Sequence, residues 1–293
     1  MNHSQDESSP KSDDPAPTRA APADRPLVGN LPSMSVLRFS GRDCAAFLQG
    51  YLTCDTAKLD QQQACPGALC NLQGRVVANG WVWGEATEIN MLVSADVTDV
   101  VGAYIEPYRR FSRTKLLDPV RALAVAPGTA DAVALDAQRA LRLISAAADA
   151  ERADATRLWE TLALAAHEVR IGAATSGQFL PQMLGLVEAG AIDFDKGCYL
   201  GQEVVARAQH RGSVKRRLYA ARLAGEGAAE LRPGDELCDT RDRWAATLIN
   251  LLPEADNRSR ALLVAGRDLA GTTVSWQHPT AQGTATTIEV ELS

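Results

Sequence analysis

Two hydrophobic periodicities divide this chain and set what it can fold into. Up to about residue 215, apolar residues recur by turns at helical and at strand spacing, whereas after Tyr219 only strand-like runs remain. From Gly41, the residues Cys44, Phe47, Leu48, Tyr51 and Leu52 stand at i, i+3, i+4, i+7 and i+8. That spacing predicts an amphipathic helix with Ser40 as its N-cap and Cys44 turned inward. Between Arg75 and Val93 the texture is that of paired strands: Trp81 and Trp83 share one face of a period-two run, and Ile89 to Val93 form a second apolar run. Val97, Val100, Val101, Tyr104, Ile105 and Tyr108 restore the helical period, with Pro107 set to kink or end that helix. A strand at Ala122 to Ala126, a helix at Asp131 to Leu141, a strand near Leu143 and a helix at Thr156 to Arg170 complete the predicted body. Such mixing of elements predicts an α+β or α/β body rather than an all-helical or all-strand one.

Beyond Tyr219, runs at Ala245 to Leu251, Ala261 to Ala265, Thr272 to Trp276 and Thr286 to Leu292 are separated by Gly, Pro, Asp and Asn. Ile288, Val290 and Leu292 alternate with Glu289 and Glu291, as in a strand with one wet face, and Arg232-Pro233-Gly234-Asp235 reads as a turn. The tail is therefore a small barrel or sandwich, and 293 residues suffice for two such units. The expected division is a disordered tail over 1–26, a body over 27–215 and a β domain over 216–293. The first 26 residues are rich in Ser, Asp, Pro and Ala and carry no apolar core of a signal peptide.

No stretch approaches the roughly 18 apolar residues of a membrane helix, so a bilayer partner is not expected. With 30 Lys and Arg against 36 Asp and Glu, the net charge of −6 argues against wholesale non-specific nucleic-acid binding. Six cysteines without a CxxC pair fit free thiols in a cytoplasmic protein, and no metal site is expected.

One of those cysteines stands apart. Cys198 lies between Gly197 and the Tyr199-Leu200-Gly201 turn, with Lys196 two residues before it and a helix-like run from Gln202 after it. A helix N-terminus and a nearby ammonium both favour the thiolate, the form that acts as nucleophile or ligand. Glu203 would oppose this if it approached the sulfur, and it also stands at i, i+4 to Arg207. Cys198, Lys196 and Glu203 are accordingly the catalytic candidates.

Lys196 to Glu203 read KGCYLGQE, which resembles the signature of the YgfZ family of folate-binding proteins, relatives of the glycine-cleavage T-protein. The resemblance extends through Ser176 to Gln182, Val205 to Arg207 and Arg211 to Arg217, and upstream through Gly41 to Asp55 and the Gly74-Arg75 turn, covering roughly residues 34 to 220. It implies an α+β fold of T-protein-like domains around a central channel that binds tetrahydrofolate or a folate derivative, followed by a small C-terminal β-barrel. It also implies support of iron–sulfur cluster assembly or repair and of iron–sulfur-dependent tRNA modification, with iron–sulfur enzymes or assembly proteins as partners and no well-defined turnover. By motif alignment Trp159 falls at a folate-contacting tryptophan and Met34 at the position of a second one. Asn71, Arg75, Tyr108 and Gln178 are candidates for lining the channel, with Arg207 and Arg216 on its basic side.

Two chemically distinct functions follow. One is a folate-binding accessory factor with Cys198 as its functional thiol. The alternative is a folate-dependent aminomethyltransferase. T-proteins carry an acidic residue just past the Gly-rich turn, whereas Gly74 to Asn79 here hold no carboxylate, and an Asn cannot exchange a proton at neutral pH. The stripe Arg207, His210, Arg211, Lys215, Arg216 and Arg217 reads as a clamp for the folate glutamate tail or a solvated face, and direct tRNA contact is not expected because no aromatics are interleaved.

Overall fold

In the computed structural model, described over residues 28–144, 155–212, 214–239, 241, 243–266, 273–279 and 285–292, antiparallel strands dominate and short helices cover them. The predicted tail at 1–26 lies outside the described residues. The first sheet is built from β1 (Gly29–Asn30), β2 (Met34–Ser40), β3 (Cys65–Cys70), β4 (Val76–Glu85), β5 (Glu88–Ser94), β6 (Lys115–Val125), β7 (Val133–Ala134) and β8 (Ala140–Ile144). Its order is β3-β4-β5-β2-β6-β8-β7, with β1 paired to β6. Alternation along β2 sends Leu37 and Phe39 to one face and Met34 and Val36 to the other. The first face is covered by α1 (Cys44–Gln49) and α2 (Thr98–Arg109), whose Leu48, Val101 and Ile105 are fully buried. The second face carries Trp83 and receives α3 (Thr156–Ala165) through Trp159.

Strands β9 (Arg216–Ala224), β10 (Glu236–Cys238), β11 (Trp244–Pro253), β12 (Arg258–Gly266), β13 (Thr273–Pro279) and β14 (Ala285–Leu292) close a barrel in the order β10-β11-β12-β9-β14-β13. The run Ala261-Leu262-Leu263-Val264-Ala265 explains why this barrel is docked rather than free. Its odd-numbered residues fill the barrel interior, and Leu262 and Val264 pack with Ala68, Cys70 and Val76 of the first sheet. An uninterrupted apolar run is what a strand buried on both faces requires.

A second joint is polar. Residues 169–171 run between the two sheets, and an asparagine from each side pairs with them as a neighbouring strand would. Asn79 of β4 donates to the Val169 carbonyl at 2.8 Å and accepts from the Ile171 N–H at 2.9 Å. Asn250 of β11 donates to the Arg170 carbonyl and accepts from its N–H, both at 2.9 Å.

Three sequence-based assignments change. Residues 131–141 form β7, a turn and the start of β8 rather than a helix, because the Asp136 carboxylate accepts from the N–H groups of Gln138 and Arg139 at 2.8 Å and folds the chain back. Such a local side-chain bond competes with helix formation. The helix at Thr156 stops at Ala165, with His167 in the left-handed region at φ 53°. Helix α1 starts after Asp43, since Ser40 still belongs to β2. Pro107 sits in the last turn of α2, which ends two residues later at Arg109.

Asn250→Ala removes both partners of Arg170 at the joint, so a loss of about 2 kcal/mol of stability is expected from urea unfolding midpoints at unchanged slope.

Candidate functional site

The loop from Asp193 to Gly201 is fastened to the segment after α1 by bonds that its sequence alone does not reveal. The Lys196 ammonium is buried and donates to the carbonyls of Gln49 at 2.9 Å, Leu52 at 2.6 Å and Cys54 at 2.8 Å. Burial holds it below the usual lysine value, against the opposing pull of Cys54, Asp55 and Asp193. Around it, the Thr53 hydroxyl donates to the Ala191 carbonyl at 2.6 Å, the Asp193 N–H donates to the Thr53 carbonyl at 2.9 Å, and the Leu200 N–H donates to the Gly50 carbonyl at 2.9 Å. The structure thus gives Lys196 a buried, structural setting: three carbonyls accept from its ammonium, which fixes the loop.

The far end of the loop meets the turn between β3 and β4. Gly201 has φ +85°, and a Cβ there would stand 2.3 Å from the Asn71 carbonyl oxygen, so only glycine permits this approach. Asn71 shapes the turn by accepting from the N–H groups of Gln73 and Arg75 at 3.0 Å. The Arg75 guanidinium donates to the Gln178 carbonyl, and the Gln178 side chain donates to the Ala174 carbonyl at 2.6 Å. Tyr108 stacks between Tyr51 at 5.2 Å and Tyr104 at 5.9 Å, and the Tyr104 hydroxyl donates to the Cys70 carbonyl at 2.6 Å. Asn71, Arg75, Gln178 and the KGCYLGQE loop are therefore gathered at one end of the first sheet, with Tyr108 tied in through Tyr104. Cys198 is exposed there, three residues ahead of the Gly201 N-cap of α4 (Gln202–Arg211), and Glu203 and Arg207 are exposed on that helix. Burial pushes the thiol of Cys44 up to about 11 and that of Cys70 up to about 12, which makes both poor nucleophiles.

The other candidates lie elsewhere. Trp159 and Met34 are buried together in the second core, and an Arg170 nitrogen stands 3.3 Å from the Met34 sulfur. Beside them is an array that motif reading missed. The Arg139 guanidinium is 2% exposed and lies 5.6 Å from the Trp81 ring centre and 5.1 Å from that of Trp159. It donates to Asp136 at 2.8 Å and to Glu168 at 2.5 Å, and the Trp81 indole N–H donates to the other Glu168 oxygen at 3.1 Å. Two buried donors in this array, Trp159 Nε1 and Arg139 Nη1, have no partner. A cavity of about 80 Å³ opens between Asn79, Trp81, His167 and Glu168, and a smaller one of about 20 Å³ lies beyond Glu168 between Glu160, Arg170 and Asn250. Cys198 lines neither. Arg216, at the start of β9, stacks on Trp244 at 3.8 Å, and Arg217 lies 4.8 Å from the Tyr219 ring, so the basic stripe does have aromatic neighbours. The array escaped sequence reading because Asp136 and Arg139 were placed on a helix; an Asp followed three residues later by Arg is the one signal that could have marked it.

Comparison with known proteins decides the family. The chain is 30% identical over 256 residues to a protein of Sodalis glossinidius (strain morsitans) named tRNA-modifying protein YgfZ, across 74% of this chain and 77% of that one. The chain belongs to the YgfZ family. A relative of the same name from Vibrio atlanticus (strain LGP32) is 24% identical over 274 residues, covering 83% of this chain and 85% of its own. No family model matches. Among solved structures, the glycine cleavage system aminomethyltransferase T of Bartonella henselae superposes with a TM-score of 0.61 at 14% identity, over 89% of this chain and 84% of that one. The α+β, T-protein-like fold expected from the YgfZ motifs is the fold observed. Among the described residues no helix is long and apolar enough to cross a membrane.

Lys196→Ala strands three carbonyls that lose a charged donor. A loss of at least about 3 kcal/mol is expected in chemical denaturation, together with faster proteolysis between Asp193 and Gly201.

Proposed function

We propose that this chain is a folate-binding accessory factor that supports iron–sulfur-dependent tRNA modification, with Cys198 as its exposed functional thiol. The observation that carries the folate reading is the Glu168 carboxylate and Trp81 indole on a cavity wall, backed by two buried donors, Trp159 Nε1 and Arg139 Nη1, without a partner among the described residues. Buried polar groups are rarely left unsatisfied, so such donors mark a place where an acceptor belongs. A pterin complements the cavity wall: its flat ring suits the Trp81 indole and its N–H groups complement Glu168, with Trp159 Nε1 and Arg139 Nη1 behind that wall. The cavity of about 80 Å³ takes the edge of such a ring and leaves the rest of the molecule at the mouth, near His167. When bound, tetrahydrofolate supplies ring amines able to carry a one-carbon unit. Trp81 orients the ring and Glu168 accepts from its N–H groups, while Arg139 fixes Glu168 in place and Trp159 and Met34 pack behind.

The names of the relatives support the tRNA-modification part of this reading, and exposure of Cys198 in a loop fixed by Lys196 supports the thiol. Iron–sulfur enzymes or assembly proteins are the partners that a reachable thiol in the cytoplasm suits. The aminomethyltransferase alternative has less support, since Asn79 stands where a carboxylate is needed and both ends of its amide are engaged with residues 169 and 171.

Tetrahydrofolate should raise the melting temperature, by linkage worth about 2.7 kcal/mol at a hundredfold excess over Kd. Trp159→Phe, which keeps an aromatic ring and removes Nε1, and Glu168→Gln should each shrink that shift; an unchanged shift in both variants would place the ligand elsewhere. Cys198→Ala should fold normally and fail to complement a strain lacking the family member, and full rescue would end the thiol's role.

A further inference from the structure

Two cysteines outside the site described above form a pair. The segment after α1 runs antiparallel beside β3: Leu52 bridges Leu69, the Thr53 N–H donates to the Ala68 carbonyl at 2.9 Å, and the Ala68 N–H donates to the Thr53 hydroxyl at 2.8 Å. This register sets Cys54 opposite Gly67, and Cys65 follows two residues along, on the same face of the strand. Gly67 has no side chain, and the Cys54 sulfur occupies the vacant space: a Cβ on Gly67 would lie 2.8 Å from it. The sulfur is thereby laid over β3, toward Cys65. Both residues belong to the core under α1, Cys54 buried and Cys65 half-buried at its margin. The interaction with Cys54 holds the Cys65 thiol below the usual cysteine value, and that interaction together with burial pushes Cys54 well above it.

We propose that Cys54 and Cys65 are a redox pair that peroxide converts to an internal disulfide. Cys65, the more acidic and more accessible of the two, attacks the peroxide oxygen as thiolate, and the O–O bond breaks with release of one water. The Cys54 thiol, set against Cys65 by the packing, attacks the resulting Cys65 sulfenic acid, and its proton passes to the hydroxyl that departs. The S–S bond forms as the S–O bond breaks and the hydroxyl leaves as a second water. Both thiols are oxidised, the peroxide is reduced by two electrons, and a dithiol reductant reverses the change. The consequence reaches the Cys198 loop, because the carbonyls of Leu52 and Cys54 are two of the three that hold Lys196. The pairing stands on this packing alone and does not depend on the folate reading.

The test is peptide mass spectrometry of the full chain after brief treatment with hydrogen peroxide, trapping of thiols with an alkylating agent, and digestion without reductant. A Cys54–Cys65 cross-linked peptide is expected, lost on dithiothreitol treatment and formed equally in Cys198→Ser. In Cys54→Ser, Cys65 should instead collect as sulfenic and then sulfinic acid. Oxidation confined to Cys198, or Cys65 pairing with any cysteine other than Cys54, would overturn the proposal. So would a native chain in which both thiols remain alkylatable after treatment.

Discussion

The fold depends on a strip of three residues held between two asparagines. Among the described residues, 169–171 have no strand partner on either side; Asn79 from the first sheet and Asn250 from the barrel supply the donors and acceptors that such partners would give. Primary amides carry a donor and an acceptor on one planar group, so each can mimic one rung of a ladder. The strip thereby joins the sheet to the barrel where apolar contact alone would leave backbone groups unpaired. It also fixes the position of Glu168, one residue before it, and with that the wall shared by the two cavities.

Much of this was legible in the sequence where a residue's neighbours along the chain decide its state. The alternation of Trp81 and Trp83, the helical stripe of α2 and the strand runs after Tyr219 all appear as predicted, because burial of one face dominates those segments. Failures came where a single polar side chain overrode periodicity. Asp136 turns a helix-like stretch into a hairpin, and the left-handed His167 ends α3 early. Asn71, Arg75 and Gln178, chosen from the motifs, do lie near the KGCYLGQE loop, but apart from Trp159. Motif spacing could not show that Lys196 faces inward, since the three carbonyls it binds lie more than a hundred residues away along the chain.

The candidate residues separate into two places with unlike physics. Around Cys198 the backbone is bent by glycine and fixed by a buried cation, and the surface is wet. Around Trp159 the side chains are dry, aromatic and charged, and their hydrogen bonds are incomplete. In the proposed function the exposed thiol faces a macromolecule, and the cavity beside Trp81 and Glu168 faces a small flat molecule. Fold kinship with the T-protein accounts for neither arrangement by itself, because the same scaffold can carry unrelated chemistry.

Arg139 sits between two indoles with two carboxylates on its guanidinium, leaving the array one negative charge in excess. An anion led into that space would meet repulsion that low polarity magnifies. The excess charge therefore favours, for the folate proposed above, entry with its N–H-rich edge toward Glu168 and its carboxylates left in solvent.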